Sequence, residues 1–224
     1  MEVIIHPDAQ TTARQAALRI ASQIDAAQSQ FTLGLAGGST PEATYEQLRT
    51  MDVDWNGVVA WLSDERWVPP DHERSNGRMA ESLLTDHVGA RLVRPRWNEL
   101  LQPADSASQY EAELRHLHSG DRPSLVLLGM GDDGHTASLF PGTTALEEKE
   151  RWIVANHVPH HREDRITATY PMLWRAKLVV VLVVGKNKAE ALRGTFDGNT
   201  PAGRLGEGDA RVEWHVDEAA ASLL

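Results

Sequence analysis

Residues 129–138, GMGDDGHTAS, set one histidine and two aspartates among three glycines. An imidazole, with an ordinary pKa of about 6.5, can take up and return a proton near neutrality. His135 is therefore a candidate general base. Asp133, two residues before it, can hold the ring in one tautomer. The glycines leave backbone N–H groups uncovered, and those of Gly131 and Gly134 are candidates to meet an oxyanion. A Gly/Asp-rich turn with a solvent-facing histidine would read the same way.

Two more segments carry chemistry. In GGSTP (37–41), Gly37 and Gly38 let the backbone curl so that N–H groups converge. Ser39 and Thr40 add hydroxyls, and Pro41 suits the first turn of a helix, whose N-terminus is partially positive. Together they form a cradle for phosphate, though an ordinary turn capped by Ser39 or Thr40 fits as well. The loop is neither a Walker loop nor GxGxxG. In SDERW (63–67), Asp64 can be a second acid/base or a hydroxyl acceptor. Arg66 can bind anionic or carbonyl oxygens. An exposed, ion-paired loop is the plainer reading. Arg165 and Lys188 are single cations near element ends, and Lys186 competes with Lys188 on spacing. HVPHH (157–161) matches no standard zinc pattern, so neither a metal nor an organic cofactor is expected. Trp61, Trp67, Trp97, Trp152 and Trp174 read as core or rim packing.

These loops need elements to hold them. Strands are predicted at 3–6, 31–36, 58–63, 124–130, 151–156, 178–184 and 212–216. Helices are predicted at 8–28, 41–50, 76–84, 106–118 and 186–193, with a short one at the C-terminus. Residues 86–105 fit no pattern. Continuous Val/Leu runs are what parallel strands covered on both faces require. Strand and helix in alternation imply right-handed crossovers and an α/β fold: a doubly wound, mainly parallel, Rossmann-like sheet with helices on both faces. In such sheets ligands sit beyond the carboxyl ends of the strands. GGSTP, DERW and GMGDDGHTAS all follow strand ends, so they are expected to meet on one edge.

The bulk properties set limits. A chain of 224 residues can form one large α/β domain, here expected to span 1–224, burying roughly three quarters of its unfolded surface. Without cysteine, disulfides, thiolate metal sites and a cysteine nucleophile are excluded. A net charge of −10 argues against nucleic acid as a partner. An anionic ligand would need a local cluster of cations and backbone dipoles. The first residues lack the features of a signal peptide, and the longest apolar run, 178–184, is far short of a membrane span. A soluble cytoplasmic protein without a membrane partner is expected.

Six segments in order, GGSTP, SDERWVPPDHERSN, GMGDDGHTASLFPGT, RITATYPML, GKNKAEAL and WHVDEAAASLL, resemble the 6-phosphogluconolactonases, from about Phe31 to the end. That group shares an α/β fold with the glucosamine-6-phosphate deaminases. The resemblance implies hydrolysis of 6-phospho-D-glucono-1,5-lactone, the second step of the oxidative pentose phosphate pathway, with this sugar-phosphate lactone as the partner of a monomer or weak homodimer. It implies that Ser39 and Thr40 belong to a phosphate loop that Arg165 and Lys188 complete. Asp64 and Arg66 would line the site, and His135 would be the catalytic histidine beside Asp133. The deaminases carry a glutamate soon after DGH, where this chain has only Leu139, Phe140 and Pro141. His215 stands where the resemblance expects an apolar residue, and there it bears on packing rather than chemistry.

Overall fold

The computed structural model describes residues 1–118 and 122–224. The chain runs β1 (Glu2–His6), α1 (Ala9–Asp25), β2 (Phe31–Leu35), α2 (Ser39–Leu48), β3 (Val58–Leu62), β4 (Asp64–Arg66) and α3 (Asn76–Ala80). After a π-helical turn at Glu81–Thr85 come α4 (Asp86–Val88), β5 (Arg91–Val93), α5 (Pro103–His118), β6 (Leu125–Gly129), β7 (Ile153–Val158) and β8 (Glu163–Ala168). Then follow α6 (Tyr170–Leu173), β9 (Leu178–Val183), α7 (Ala189–Phe196) and β10 (Arg211–Asp217).

Seven strands form one sheet in the order β1-β10-β9-β6-β2-β3-β5, and every neighbouring pair is parallel. β9 shows why its sequence is continuously apolar. Val179, Val181 and Val183 face one hydrophobic core, while Leu178, Val180 and Leu182 face another on the opposite side of the sheet. α1 and α2 cover the second core. The alanines of α1 (Ala13, Ala16, Ala17, Ala21) recur every three or four residues and are buried, which lets the helix lie close to the sheet. α1 starts at Asp8, whose carboxylate accepts the Thr11 N–H at 2.7 Å. Among the described residues no helix is long and apolar enough to cross a membrane.

The doubly wound parallel sheet is as expected, but one expectation fails. The strand predicted at 151–156 lies outside that sheet. As β7 it joins β8 and β4 in a separate three-stranded sheet, order β4-β8-β7, with antiparallel pairing throughout. β4 and β8 fall where the sequence offers only a charged loop and an element end. The unassigned stretch 86–105 contributes β5, the edge strand beside β3.

Two buried tyrosines lock the strand ends from which the site is built. Tyr45 of α2 donates its hydroxyl hydrogen to the carbonyl of Ala36 at 2.8 Å and accepts the Ala36 N–H at 2.9 Å. Tyr110 of α5 does the same for Leu62, accepting its N–H at 2.8 Å and donating to its carbonyl at 3.0 Å. Burial pushes both phenols well above their ordinary pKa, so they act as neutral hydrogen-bonding groups. β2 and β3 thus end at fixed positions just before GGST and DER.

Candidate active site

β2 runs into Gly37 and Gly38, and α2 begins at Ser39. Gly38, with φ at +107°, is the N-cap and offers no capping side chain. Ser39 and Thr40 therefore sit inside the first turn rather than capping it. The helix leaves N–H groups and a partial positive charge facing outward. A Cβ at Gly37 would fall 2.0 Å from the Oδ1 of Asn76, so only glycine lets that loop pass so close to Asn76.

Asn76 is a residue that sequence reasoning missed. Its amide donates to both the carbonyl of Asp64 (2.9 Å) and the Asp64 carboxylate (3.1 Å). Glu65 fixes it in place, accepting the N–H groups of Arg66, Asn76 and Gly77 and the Ser75 hydroxyl at 2.7–2.9 Å. Burial pushes the Glu65 carboxyl up, and these four bonds act against that shift. The middle residue of DER thus holds the N-terminus of α3. Asp64 and Arg66, on the opposite face of β4, look into the cleft.

Asp64 is buried and heavily engaged. One oxygen accepts the Ser138 hydroxyl at 2.6 Å and lies 3.7 Å from the Arg165 guanidinium. Arg165 is also buried, and its Nε and Nη2 both donate to one oxygen of Glu163, Oε1. The antiparallel register sets Arg66 directly opposite Arg165. Like charges facing each other across a strand pair are unfavourable unless compensated; Asp64 and Glu163 compensate Arg165, while Arg66 has no carboxylate partner among the described residues. Arg66 donates to the Arg74 carbonyl at 2.6 Å, and its Nε has no hydrogen-bond partner among the described residues.

The DGH loop supplies the remaining wall. Nδ1 of His135 lies 2.5 Å from Oδ1 of Asp133, which also accepts the His135 N–H at 3.0 Å. Burial tends to raise the Asp133 pKa, but the bonds from His135 outweigh it and hold the carboxyl down at about 2. Asp133 stays ionised and sits behind the ring; it does not line the cleft. His135 lies close against Gly131, where a Cβ would come 2.1 Å from Nδ1. The ring also stacks on Phe140, with ring centroids 3.9 Å apart and planes 24° apart.

The expected oxyanion donors are not free. The Gly131 N–H is bonded to the His135 carbonyl at 2.8 Å, and the Gly134 N–H to the Gly131 carbonyl at 3.2 Å. Both hold the loop's own shape. Gly131 gives the imidazole room, and Gly134, at φ +75°, packs its Cα against Thr200.

Lys188 stands in the 3₁₀ turn Lys186–Lys188 after β9. It lines the cleft, whereas Lys186 is exposed and does not. Gly37, Gly38, Ser39, Thr40, Asp64, Arg66, Asn76, Gly131, His135, Arg165 and Lys188 thus border one cleft of about 250 Å³ at the carboxyl ends of β2, β6 and β9. The histidines of HVPHH go elsewhere: His157 pairs with Asp164 at 2.8 Å, and His161 sets its edge against Phe140.

The fold and the cleft define an α/β protein with a pocket lined by Arg66, Arg165, Lys188 and a helix N-terminus at the carboxyl edge of a parallel sheet. By comparison with known proteins, the chain belongs to the family described as glucosamine-6-phosphate isomerases/6-phosphogluconolactonase, whose model matches residues 7–214. A 6-phosphogluconolactonase of Nostoc sp. is 38% identical over 208 residues, covering 88% of this chain and 86% of that one. One from Rhizobium meliloti is 37% identical, covering 86% and 85%. Among solved structures, the 6-phosphogluconolactonase of Leishmania guyanensis superposes with a TM-score of 0.88 at 28% identity, covering 98% of this chain and 97% of that one. A monomeric glucosamine-6-phosphate deaminase shares the fold, with a TM-score of 0.87 at 24% identity over all of both chains.

Proposed function

We propose that the protein is a 6-phosphogluconolactonase, hydrolysing 6-phospho-D-glucono-1,5-lactone to 6-phosphogluconate with His135 as general base. The observation that carries this reading is the pairing of His135 with Asp133 in a cleft that also holds Arg66, Arg165, Lys188 and a helix N-terminus. The curated relatives named 6-phosphogluconolactonase support the choice of lactone. The absence of a glutamate in residues 136–143 counts against deaminase chemistry.

In this mechanism the substrate phosphate lies against the first turn of α2, with Ser39 and Thr40, and is neutralised by Lys188 and Arg165. The carbonyl carbon then faces Nε2 of His135, the ring nitrogen not committed to Asp133. His135 takes a proton from water as the water oxygen bonds to that carbon. Arg66 is the cation left to steady the tetrahedral oxyanion, since the glycine N–H groups are occupied. The imidazolium returns its proton to the ring oxygen as the C–O bond breaks. Asp64 orients Arg165 through its carboxylate rather than carrying the proton. A lactone is an activated ester, so a positioned base of this kind, contributing about 10²–10⁴-fold, has a modest barrier to lower.

The test is lactone hydrolysis. Glucose 6-phosphate is oxidised in the cuvette, and 6-phosphogluconate is read with a second dehydrogenase above the spontaneous rate. The wild-type rate should scale with protein and fall by about 10²–10⁴ in His135→Ala. A folded wild type with no rate above background would overturn the lactonase reading, and an undiminished His135→Ala would remove His135 as base.

A further inference from the structure

The face of β10 turned away from the Trp214 core carries three buried polar residues, Glu213, His215 and Asp217. Glu213 is held by Arg19 at 2.8 Å, and His215 meets His6 at 3.1 Å. Asp217 differs from both. It is buried, yet it forms no ion pair among the described residues. Its carboxylate accepts only backbone N–H groups: Gly185 on both oxygens, at 3.0 and 3.1 Å, and Ala220 at 2.7 Å. A buried charge left without a counter-ion is costly unless hydrogen bonds compensate it, and these backbone bonds do so while fixing their donors in place.

What they fix is the turn that carries Lys188. Gly185, at φ +97°, is the N-cap of the 3₁₀ turn Lys186–Lys188 and has no side chain with which to brace it. Its carbonyl accepts the Lys188 N–H at 3.0 Å. The Gly185 N–H goes to Asp217, which also holds the last turn of the chain through Ala220. Among the described residues the Lys188 ammonium itself has no hydrogen-bond or ion-pair partner, though its side chain borders the cleft. No side-chain bond holds that ammonium in place, so its position rests on the turn, and the turn is braced by Asp217.

We infer that Asp217 is a positioning residue for substrate phosphate, acting through Gly185 to aim Lys188 into the cleft. The inference rests on the reading of Lys188 as a phosphate ligand. It separates binding from chemistry, because Asp217 touches neither His135 nor the DGH loop.

The experiment is steady-state kinetics on 6-phosphoglucono-1,5-lactone and on unphosphorylated glucono-1,5-lactone for wild type, Asp217→Ala, Asp217→Asn, Lys188→Ala and the double variant Asp217→Ala/Lys188→Ala. Lys188→Ala should raise KM for the phosphorylated lactone by roughly 10- to 150-fold, the loss of one charged hydrogen bond. Asp217→Ala should raise the same KM by about tenfold, leave kcat within about twofold, and leave the unphosphorylated lactone unaffected. Asp217→Asn keeps an oxygen acceptor for both N–H groups and should stay close to wild type. In the Lys188→Ala background, Asp217→Ala should add nothing to KM.

A raised KM in Lys188→Ala beside an unchanged KM in Asp217→Ala overturns this inference alone. So does an Asp217→Ala that loses kcat equally on both lactones, or one whose KM effect persists without Lys188. An unchanged KM in Lys188→Ala overturns the phosphate reading of that lysine and this inference with it. If Asp217→Ala does not fold, Asp217→Ser, whose hydroxyl is too short to reach both N–H groups, carries the same comparison.

Discussion

Oδ1 of Asp133 accepts two bonds from one residue, the Nδ1–H of His135 at 2.5 Å and its backbone N–H at 3.0 Å. The first fixes the tautomer and the second fixes the loop. Asp133→Asn keeps the size of the side chain but can turn an N–H toward Nδ1, which favours the tautomer with its proton on Nε2, where the base needs a lone pair. We expect kcat to fall by about 10²–10⁴, the contribution of general base catalysis, with a much smaller change in KM. Because the Asp133 carboxyl is held down at about 2, it remains ionised throughout the neutral and mildly acidic range. A pH–rate profile of the wild type should show no limb from Asp133 above pH 4; one that follows its protonation there would contradict the hold of this hydrogen bond on the carboxylate.

Phe140 packs on the imidazole of His135. Its ring stacks on His135 at 3.9 Å and lies beneath the Arg165 guanidinium at 5.6 Å. Stacked pairs contribute about 0.5–1.5 kcal/mol beyond their buried area. Phe140→Leu conserves apolar bulk but frees the imidazole to tilt, and kcat should drop by roughly 2- to 12-fold. Thermal denaturation of the same variant separates the effects: a large loss of Tm at unchanged kcat would make Phe140 a packing residue only.

Gly37→Ala drives a methyl group toward the Asn76 amide, 2.0 Å from its oxygen. Asn76 must then give way, releasing the Asp64 carboxylate it bonds. Overpacking of this kind costs about 1–3 kcal/mol, so we expect a lower denaturant midpoint together with a raised KM. Stability and KM both at wild-type values would mean that the loop shifts freely, contrary to the close contact seen here.

His215 makes stability depend on pH. Burial first, and then the neighbouring His6, push its imidazole down to about 4, with Glu213 acting in the opposite direction. Burial lowers His6 as well. The groups facing this pair are Glu213, Arg19 and Arg211. In the unfolded chain the ring titrates at its ordinary 6.5, so the contribution of the neutral folded form is complete above that pH. It is lost as pH falls from 6.5 toward 4, at up to about 1.4 kcal/mol per pH unit for one proton. Tm should therefore drop between pH 6.5 and 4.5 and drop less in His215→Phe. An equal drop in both proteins would place the acid sensitivity elsewhere.

Much of this arrangement was legible in the sequence because the residues that do it are of unusual type at strand ends. Glycine pairs, DGH and DER each follow an apolar run, and the parallel sheet puts all three on one edge. β4 and β8 were harder to read. β4 is three residues long, and β8 begins with Glu163, Asp164 and Arg165, so neither shows the apolar alternation that identifies a strand. The antiparallel partnership of β7 followed them out of view, since its apolar residues suit either sheet. Asn76 and Ser138 carry no charge and no reactive group, and only their bonds to Asp64 mark them. The Gly131 and Gly134 donors failed for the opposite reason: their residue type was right, but the loop uses their N–H groups to keep its shape. The sequence points to packing at His215, and its bond to His6 and its place beside Glu213 add a buried polar network.

The hydrogen bond from Ser138 to Asp64 joins residues 74 apart in the chain. Chain entropy must be given up before such a long loop is rewarded by its contact. The cleft is consequently a product of the finished topology, for its last cation, Lys188, sits beyond nine tenths of the strands. A chain emerging from the ribosome would have β1 to β6 and the helices between them well before it could turn over a single molecule. Regained activity in a refolding experiment would report the whole molecule's completion, not the return of its secondary structure.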